Sequence, residues 1–184
     1  ADEMAKLGLK NVHLEPFEFD DCAFADFGGE ATVRGRKQKL MIRPCEYAKS
    51  TPKGGVEGEM VFLDSACRCD YGGPELRGKV GLFLGAPMPE AEWVECMMDS
   101  GLAAALLVDY RYQTRWPMAL GFPEMWASKV RMPLFSIAYD QAWRLVRAGK
   151  GVRVRLRLQA RRTRSRSANA IGDLPGTDPK LAPE

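Results

Sequence analysis

The sequence RGKVGLFL at residues 77–84, together with LAAALLV at residues 102–108, decides the fold. Both are almost continuous apolar runs of strand length, which is typical of strands that are buried on both faces. Between them, Pro89–Ser100 predicts a helix, with Pro89 in its first turn and Gly101 as its end. A strand, a helix and a strand in this order predict a βαβ unit with parallel strands and a right-handed crossover.

The remaining elements are predicted outward from this unit. Apolar and polar residues that alternate, or short apolar runs between turns rich in Gly and Pro, indicate further strands. We expect strands at Val12–Phe19, Val56–Leu63, Leu134–Ile137 and Gly151–Ala160, two short strands within Ala31–Arg43, and a second helix at Asp140–Ala148. These elements predict a β-rich α/β domain with two short helices and a mixed, curved sheet that is barrel-like or sandwiched.

The charge distribution separates one segment from the rest of the chain. The 184 residues carry a net charge of +3, but Gln141–Gly172 contains ten basic residues and no acidic residue. The remainder therefore holds 17 basic and 24 acidic residues. Such a segment attracts nucleic acid or an acidic protein surface. No apolar run approaches the roughly 20 residues that a membrane span needs, so we expect no membrane partner.

Catalytic and metal-binding residues are expected to be absent from this chain. A catalytic zinc site needs several His, Asp and Glu ligands, and the sequence contains a single histidine, His13. Cys67 and Cys69, next to acidic residues, are the best local metal candidate, but two further ligands are missing. The alternative is a loop in which one of these cysteines packs inward or bonds to Cys22 or Cys45. The five cysteines, which include Cys96, leave at least one without a partner in the chain.

The segment Asp109–Met132 is predicted to be a long loop that recognises a substrate or partner. Aromatic and Arg side chains dominate binding hot spots, and loops of this length in compact domains are commonly functional. The candidates are Tyr110, Arg111, Tyr112, Arg115, Trp116 and Trp126. The alternative, weighted equally, is that Trp116 and Trp126 only cover one end of the sheet.

A basic face is predicted on the last strand, where Arg153, Arg155 and Arg157 alternate with apolar residues. Such a row could bind phosphates. No aromatic residue is interleaved after Gly149, so the base stacking used by single-strand binders is unsupported and no specific nucleic acid is expected. The favoured interpretation is the polar face of an edge strand that also faces another domain.

Four motifs in order resemble the protease-associated domain over roughly residues 50 to 150. They are Val56–Phe62, like the strand entry of that family, Leu76–Val80, like its Leu-x-Gly-Lys-Val element, Ser100–Leu107, like its small-residue strand, and Met132–Asp140, like its approach to the second helix. Ala138 departs from the pattern, because Ser or Thr usually caps that helix. The resemblance implies a swivelling β/β/α fold.

The flanks resemble secreted zinc aminopeptidases. Leu7–Phe17 is similar to the segment that leads into this module, and Ser167–Asp178 is similar to the first strand of the peptidase domain, whose metal ligands would follow. The resemblance implies a flank at 1–20, the module at 21–160, and the start of a peptidase domain at 161–184.

The function implied by the resemblance is a non-catalytic module that gates or binds peptide substrate or mediates an interaction between domains. Its partner would be the peptidase domain of the same protein, and zinc would be bound only there. The location would be extracytoplasmic, although the acidic N-terminus Ala1–Met4 lacks a signal core. The alternative function is a self-standing basic domain that binds nucleic acid or an acidic protein. A complete small hydrolase is disfavoured by the single His.

Overall fold

The computed structural model describes residues 1–64, 70, 72–85, 91–109, 111, 113–121, 125, 127–174 and 176. Its strands are β1 (Lys10–Val33), β2 (Arg36–Lys39), β3 (Ile42–Pro44), β4 (Val56–Leu63), β5 (Val80–Leu84), β6 (Ala104–Val108), β7 (Leu134–Ile137) and β8 (Arg153–Asp173). Its helices are α1 (Asp2–Lys6), α2 (Ala91–Asp99) and α3 (Tyr139–Ala148). Among the described residues, no helix is both long and apolar enough to cross a membrane.

The eight strands form one mixed sheet in the order β2-β1-β8-β4-β5-β6-β7-β3. Strands β4 to β7 are parallel to their neighbours within that group, whereas β2, β3 and β8 pair in antiparallel fashion with β1, β7 and β4. In the part of the chain that the structure describes, the sheet is not closed into a barrel. The predicted β-rich α/β class with a mixed sheet is therefore confirmed, in its open form.

The predicted βαβ unit is present. Strands β5 and β6 are parallel and in register from the pair Val80 and Ala104 to the pair Leu84 and Val108. Every residue of β6 is buried, as its apolar sequence predicts. Helix α2 contributes Val94 to the same core. The apolar runs on either side of the helix thus supply the centre of the sheet.

The last strand differs from its prediction in two ways. It was expected at Gly151–Ala160 on an edge, but β8 extends to Asp173 and lies between β1 and β4 in the sheet order. The edge assignment is wrong because β1, a distant segment in sequence, supplies the second neighbour. Strand β8 still shows the predicted alternation, since Val154, Leu156 and Leu158 are buried and the arginines between them are exposed.

The chain divides into two compact units, which are described separately. The first unit consists of Ala1–Asp21 and Thr163–Glu184, and the second of Cys22–Arg162. Within the first unit Arg164 contacts Asp20 at 2.8 Å, and Arg166 contacts Glu18 at 2.7 Å. Whether the segment 161–184 begins a peptidase domain stays a prediction, because compactness does not identify a family.

Candidate functional site: a loop at a strand end and a basic sheet face

Strand β6 ends next to an ion pair between buried Asp109 and exposed Arg111, and the predicted recognition loop begins there. Asp109, the residue after β6, is 7% exposed and accepts hydrogen bonds from Arg111 Nε at 2.9 Å and Arg111 Nη2 at 2.8 Å. The backbone N–H of Arg111 donates to the same carboxylate at 3.1 Å. These bonds hold the pKa of Asp109 below its usual range, against the opposing effect of burial. Arg111 therefore fixes the base of the loop.

The middle of this loop carries exposed side chains. Trp116 is 70% exposed, and Arg115 beside it is also exposed. Thr114 Oγ1 donates a hydrogen bond to the carbonyl oxygen of Trp116 at 2.7 Å, which restrains the turn between them. An indole this exposed is not packed over the sheet. The other candidates, Tyr110, Tyr112 and Trp126, lie outside the described residues.

The basic face of β8 is neutralised in part by carboxylates from other strands. Arg153 Nε lies 3.1 Å from Glu57 Oε1 of β4, and Arg157 Nε lies 2.9 Å from Asp26 Oδ2 of β1. Arg155, between them, donates to the carbonyl oxygen of Gly54 at 3.0 Å. Arg155 thus has no carboxylate partner among the described residues. The sequence predicted the row of arginines but not these pairings, since their partners are distant in the chain.

A cavity of about 490 Å³ opens next to this face and brings in residues that the sequence did not single out. Lys39 of β2 and the segment Phe27–Gly29 of β1 line it together with Arg155 and Arg157. The basic composition of β2, with three cations in four residues, was the available signal. The sequence predicted two short strands within Ala31–Arg43, but it did not show which segments lie next to them in the sheet.

The cysteines do not form the disulfide considered from the sequence. Cys22 and Cys45 are thiols, so the predicted alternative of a bond from the Cys67–Cys69 loop to either of them is wrong. Cys22 Sγ accepts a hydrogen bond from the N–H of Tyr47 at 3.2 Å. Cys45 is fully buried, and its burial raises the pKa of its thiol, with a further rise from the charge of Glu46. Cys67 and Cys69 lie outside the described residues, and Cys96 is disulfide-bonded.

Metal-binding side chains are not assembled in the described part of the chain. There, no three His, Cys, Asp or Glu residues are grouped so that they could hold a metal ion. His13 is exposed on β1, and its Nδ1 lies 2.8 Å from the carbonyl oxygen of Asn11. The local geometry of His13 is therefore that of a surface residue bonded to its own strand.

Solved peptidases share the fold of this chain over nearly its whole length. A structure described as a peptidase M28 precursor from Shewanella amazonensis SB2B matches 96% of the chain, with a TM-score of 0.73 and 15% identity. A zinc aminopeptidase from Bacillus subtilis matches 96%, with a TM-score of 0.65 and 20% identity. An aminopeptidase from Aneurinibacillus sp. strain AM-1 matches 97%, with a TM-score of 0.63 and 18% identity.

The match covers only part of each of those proteins. This chain spans 44% of the Shewanella chain, 40% of the Bacillus chain and 42% of the Aneurinibacillus chain. No protein-family model and no curated protein matches the sequence. At these identities the likeness shows a shared fold.

Proposed function

We propose that this chain is a non-catalytic, protease-associated module of a zinc aminopeptidase. The observation that carries the proposal is the coverage: the fold matches nearly all of this chain but less than half of each peptidase. Support also comes from the described residues, in which no group of three metal ligands occurs. A dinuclear or mononuclear zinc site needs such a group. The peptidase domain of the same protein would be the partner and would hold the zinc.

Within this proposal, the loop after β6 contacts peptide substrate. In parallel sheets, ligands bind beyond the carboxyl ends of the strands, and Asp109 places the base of the loop at such an end. At that base, Asp109 forms an ion pair with Arg111 at 2.8 Å. Among the described residues of the loop, Trp116 and Arg115 are exposed and can meet a ligand, the indole by apolar contact and the guanidinium by pairing with a carboxylate.

We further propose an extracytoplasmic location for the protein. The disulfide of Cys96 supports it, because structural disulfides persist mainly in oxidising compartments. A specific nucleic-acid role is not favoured, since carboxylates already pair with Arg153 and Arg157 on the basic face. Phosphates would have to displace those carboxylates.

The first experiment reads the gene beyond the codon for Glu184 and assays both the short chain and the complete product. A following segment of the form His-x-Asp supports the proposal, and a stop codon at that point contradicts it. The 184-residue chain should not hydrolyse aminoacyl chromogenic substrates with added zinc, whereas the complete product should. Zinc-dependent turnover by the short chain, purified free of other peptidases, would also contradict the proposal.

The second experiment tests the loop in the complete product. Arg115→Ala and Trp116→Ala should each raise KM by about tenfold for some peptides of a panel, because interface Arg and Trp residues commonly contribute more than about 1 kcal/mol. Arg144→Ala is the matched control, since this exposed arginine lies on α3 and pairs locally with Asp140. Unchanged kinetics in both loop variants, or an equal change in the control, would reject the role of the loop.

A further inference from the structure

Two glycines of β1 line the cavity of about 490 Å³ beside β8, which is called the basic cavity below. Gly28 and Gly29 of β1 line it, and a Cβ at Gly28 would meet nothing within 4 Å, so the space above this residue is open. A Cβ at Gly29 would lie 2.8 Å from Ile42 Cδ1 and 3.0 Å from Leu156 Cδ2. Glycine at position 29 thus lets β1 pack directly on the core. The volume of about 490 Å³ is within the range of ligand sites.

The charges around this cavity leave an excess positive charge. Lys39, Arg155 and Arg157 line it together with one carboxylate, Glu30. A second carboxylate, Asp26, holds Arg157 at 2.9 Å. Among the described residues, no carboxylate lies within ion-pair distance of Lys39 or Arg155. The cavity is therefore suited to one carboxylate, and Glu30 disfavours a polyphosphate.

A second, more apolar cavity adjoins the first. Its volume is about 400 Å³, and it shares Phe27, Gly28 and Lys39 with the basic cavity. The rest of its lining includes Leu40 and Met41. Phe27 is 44% exposed and Met41 is 38% exposed, so apolar surface remains open to a ligand here. A ligand that spans both cavities needs an apolar group next to a carboxylate.

Strand β2 offers the main-chain part of the same surface. It is the first strand in the sheet order and pairs with β1 only, so its outer edge is open in the described part of the chain. All four residues of β2 are exposed, and none of its cations has a carboxylate partner among the described residues. An open edge can accept an extended peptide through backbone hydrogen bonds.

We propose that the two cavities and the edge of β2 together bind an extended acidic peptide in which an apolar residue adjoins a glutamate or aspartate. The carboxylate pairs with Lys39 and Arg155, and the apolar side chain lies against Phe27 and Met41. The backbone of the peptide extends along β2. An alternative role for cations on an edge strand is to prevent pairing between sheets, in which case no peptide binds.

The experiment is a calorimetric titration of the 184-residue chain with a blocked hexapeptide that alternates leucine and glutamate. We expect saturable binding that weakens about tenfold when glutamine replaces glutamate, because a hydrogen bond to a charged group contributes about 1.5–3 kcal/mol. Lys39→Gln and Arg155→Gln should each weaken binding of the acidic peptide by a similar factor. Phe27→Ala should weaken binding of the leucine-containing peptide. The same substitution should have a smaller effect on a peptide in which alanine replaces leucine.

The controls separate the proposed site from general charge attraction. Arg144→Gln on α3 removes one exposed cation elsewhere in the chain and should leave binding unchanged. Circular dichroism and thermal unfolding should show that the Lys39 and Arg155 variants remain folded. The Lys39 variant is expected to lose less stability, because Lys39 is exposed and has no ion-pair partner among the described residues.

Several outcomes would overturn the proposal. They are equal affinity for the glutamate and glutamine peptides, an equal loss in the Arg144→Gln control, and no heat at about 1 mM peptide. Tighter binding of dodecanoate or of a nucleoside monophosphate than of the peptide would assign the site to another ligand class. The titration needs no peptidase domain, so its result is independent of the proposed function.

Discussion

The sheet has a parallel part, β4 to β7, and an antiparallel part, β2, β1 and β8, and the two parts bury their side chains in different ways. Every residue of β6 and of β7 is buried, as expected for strands with cover on both faces. Along β8, from Arg153 to Leu158, exposed and buried residues alternate strictly. Strands β6 and β7 therefore show ligands only their ends, whereas β8 shows them one whole face.

This difference explains where the two candidate sites lie. Helices α2 and α3 both contribute side chains to the core, such as Met97 and Leu145, so the faces of the parallel strands are occupied. A function built on that part has to use loops such as the one that begins at Asp109. On the arginine face of the antiparallel part, Arg153 and Arg157 are exposed in the described structure, and cavities form between β1, β2 and β8. Two distinct surfaces thus follow from one sheet.

The largest effect that tests this comparison is expected in β6. Leu106→Ala and Leu107→Ala should each lower the free energy of unfolding by about 2–5 kcal/mol, because both side chains are fully buried although they point to opposite faces. Urea unfolding of the two variants measures this. A negligible loss at either position would mean that one face of the parallel part is not covered in solution.

The parallel part could be predicted because its signals are local. The strands at Val56–Leu63 and Leu134–Ile137 have the bounds that the sequence predicted. Apolar runs, flanking Gly and Pro, and the helix end at Gly101 all lie within a few residues of the elements they define. Helix α3 begins at Tyr139 although Ala138 provides no side-chain cap. The first regular helical bond runs from the N–H of Ala142 to the carbonyl oxygen of Ala138. Packing of the apolar helix face outweighs the missing cap.

The antiparallel part could not be predicted in full, because its stability depends on distant partners. The sequence predicted one strand at Val12–Phe19 and a separate short strand that begins at Ala31, but β1 is continuous through the acidic pair Asp20–Asp21 to Val33. These carboxylates disrupt the local pattern, yet Arg164 and Ser165 bond to them within the first unit. The same holds for the site, since the pairing of Arg157 with Asp26 joins residues far apart in the chain.

A smaller effect on the free energy of unfolding is expected at the ion pair between Asp109 and Arg111. Asp109→Asn should cost about 1–2 kcal/mol at neutral pH, because Asp109 is buried and bonded to Arg111, while solvent screens the exposed Arg111 side chain. The pKa of Asp109 is lowered in the folded state. Its contribution is therefore present above the ordinary value of about 3.9 and is lost as the pH falls through the lower folded value.

Unfolding curves at several pH values measure this contribution. The difference between the native chain and Asp109→Asn should be largest near neutral pH and should shrink under acid conditions. Asp99→Asn is the control, since Asp99 pairs with Arg131 on the surface and is 72% exposed. A difference that stays constant with pH would show that the amide acts by packing and not by loss of charge.

The smallest effect on the free energy of unfolding is expected on the arginine face. It can be compared with the effect at a buried residue of the same strand, β8. Arg153→Ala should change the free energy of unfolding by about 0–1 kcal/mol, because its pair with Glu57 is exposed on both sides. Leu156→Ala, three residues along β8, should cost about 2–5 kcal/mol, since Leu156 is fully buried. The small contribution of Arg153 should fall further at high salt, where exposed charges are screened, while that of Leu156 should not. Urea unfolding at low and high salt measures both contributions. Comparable losses at the two positions would mean that the arginine face is packed against something in solution, and this face would then not be open to a peptide.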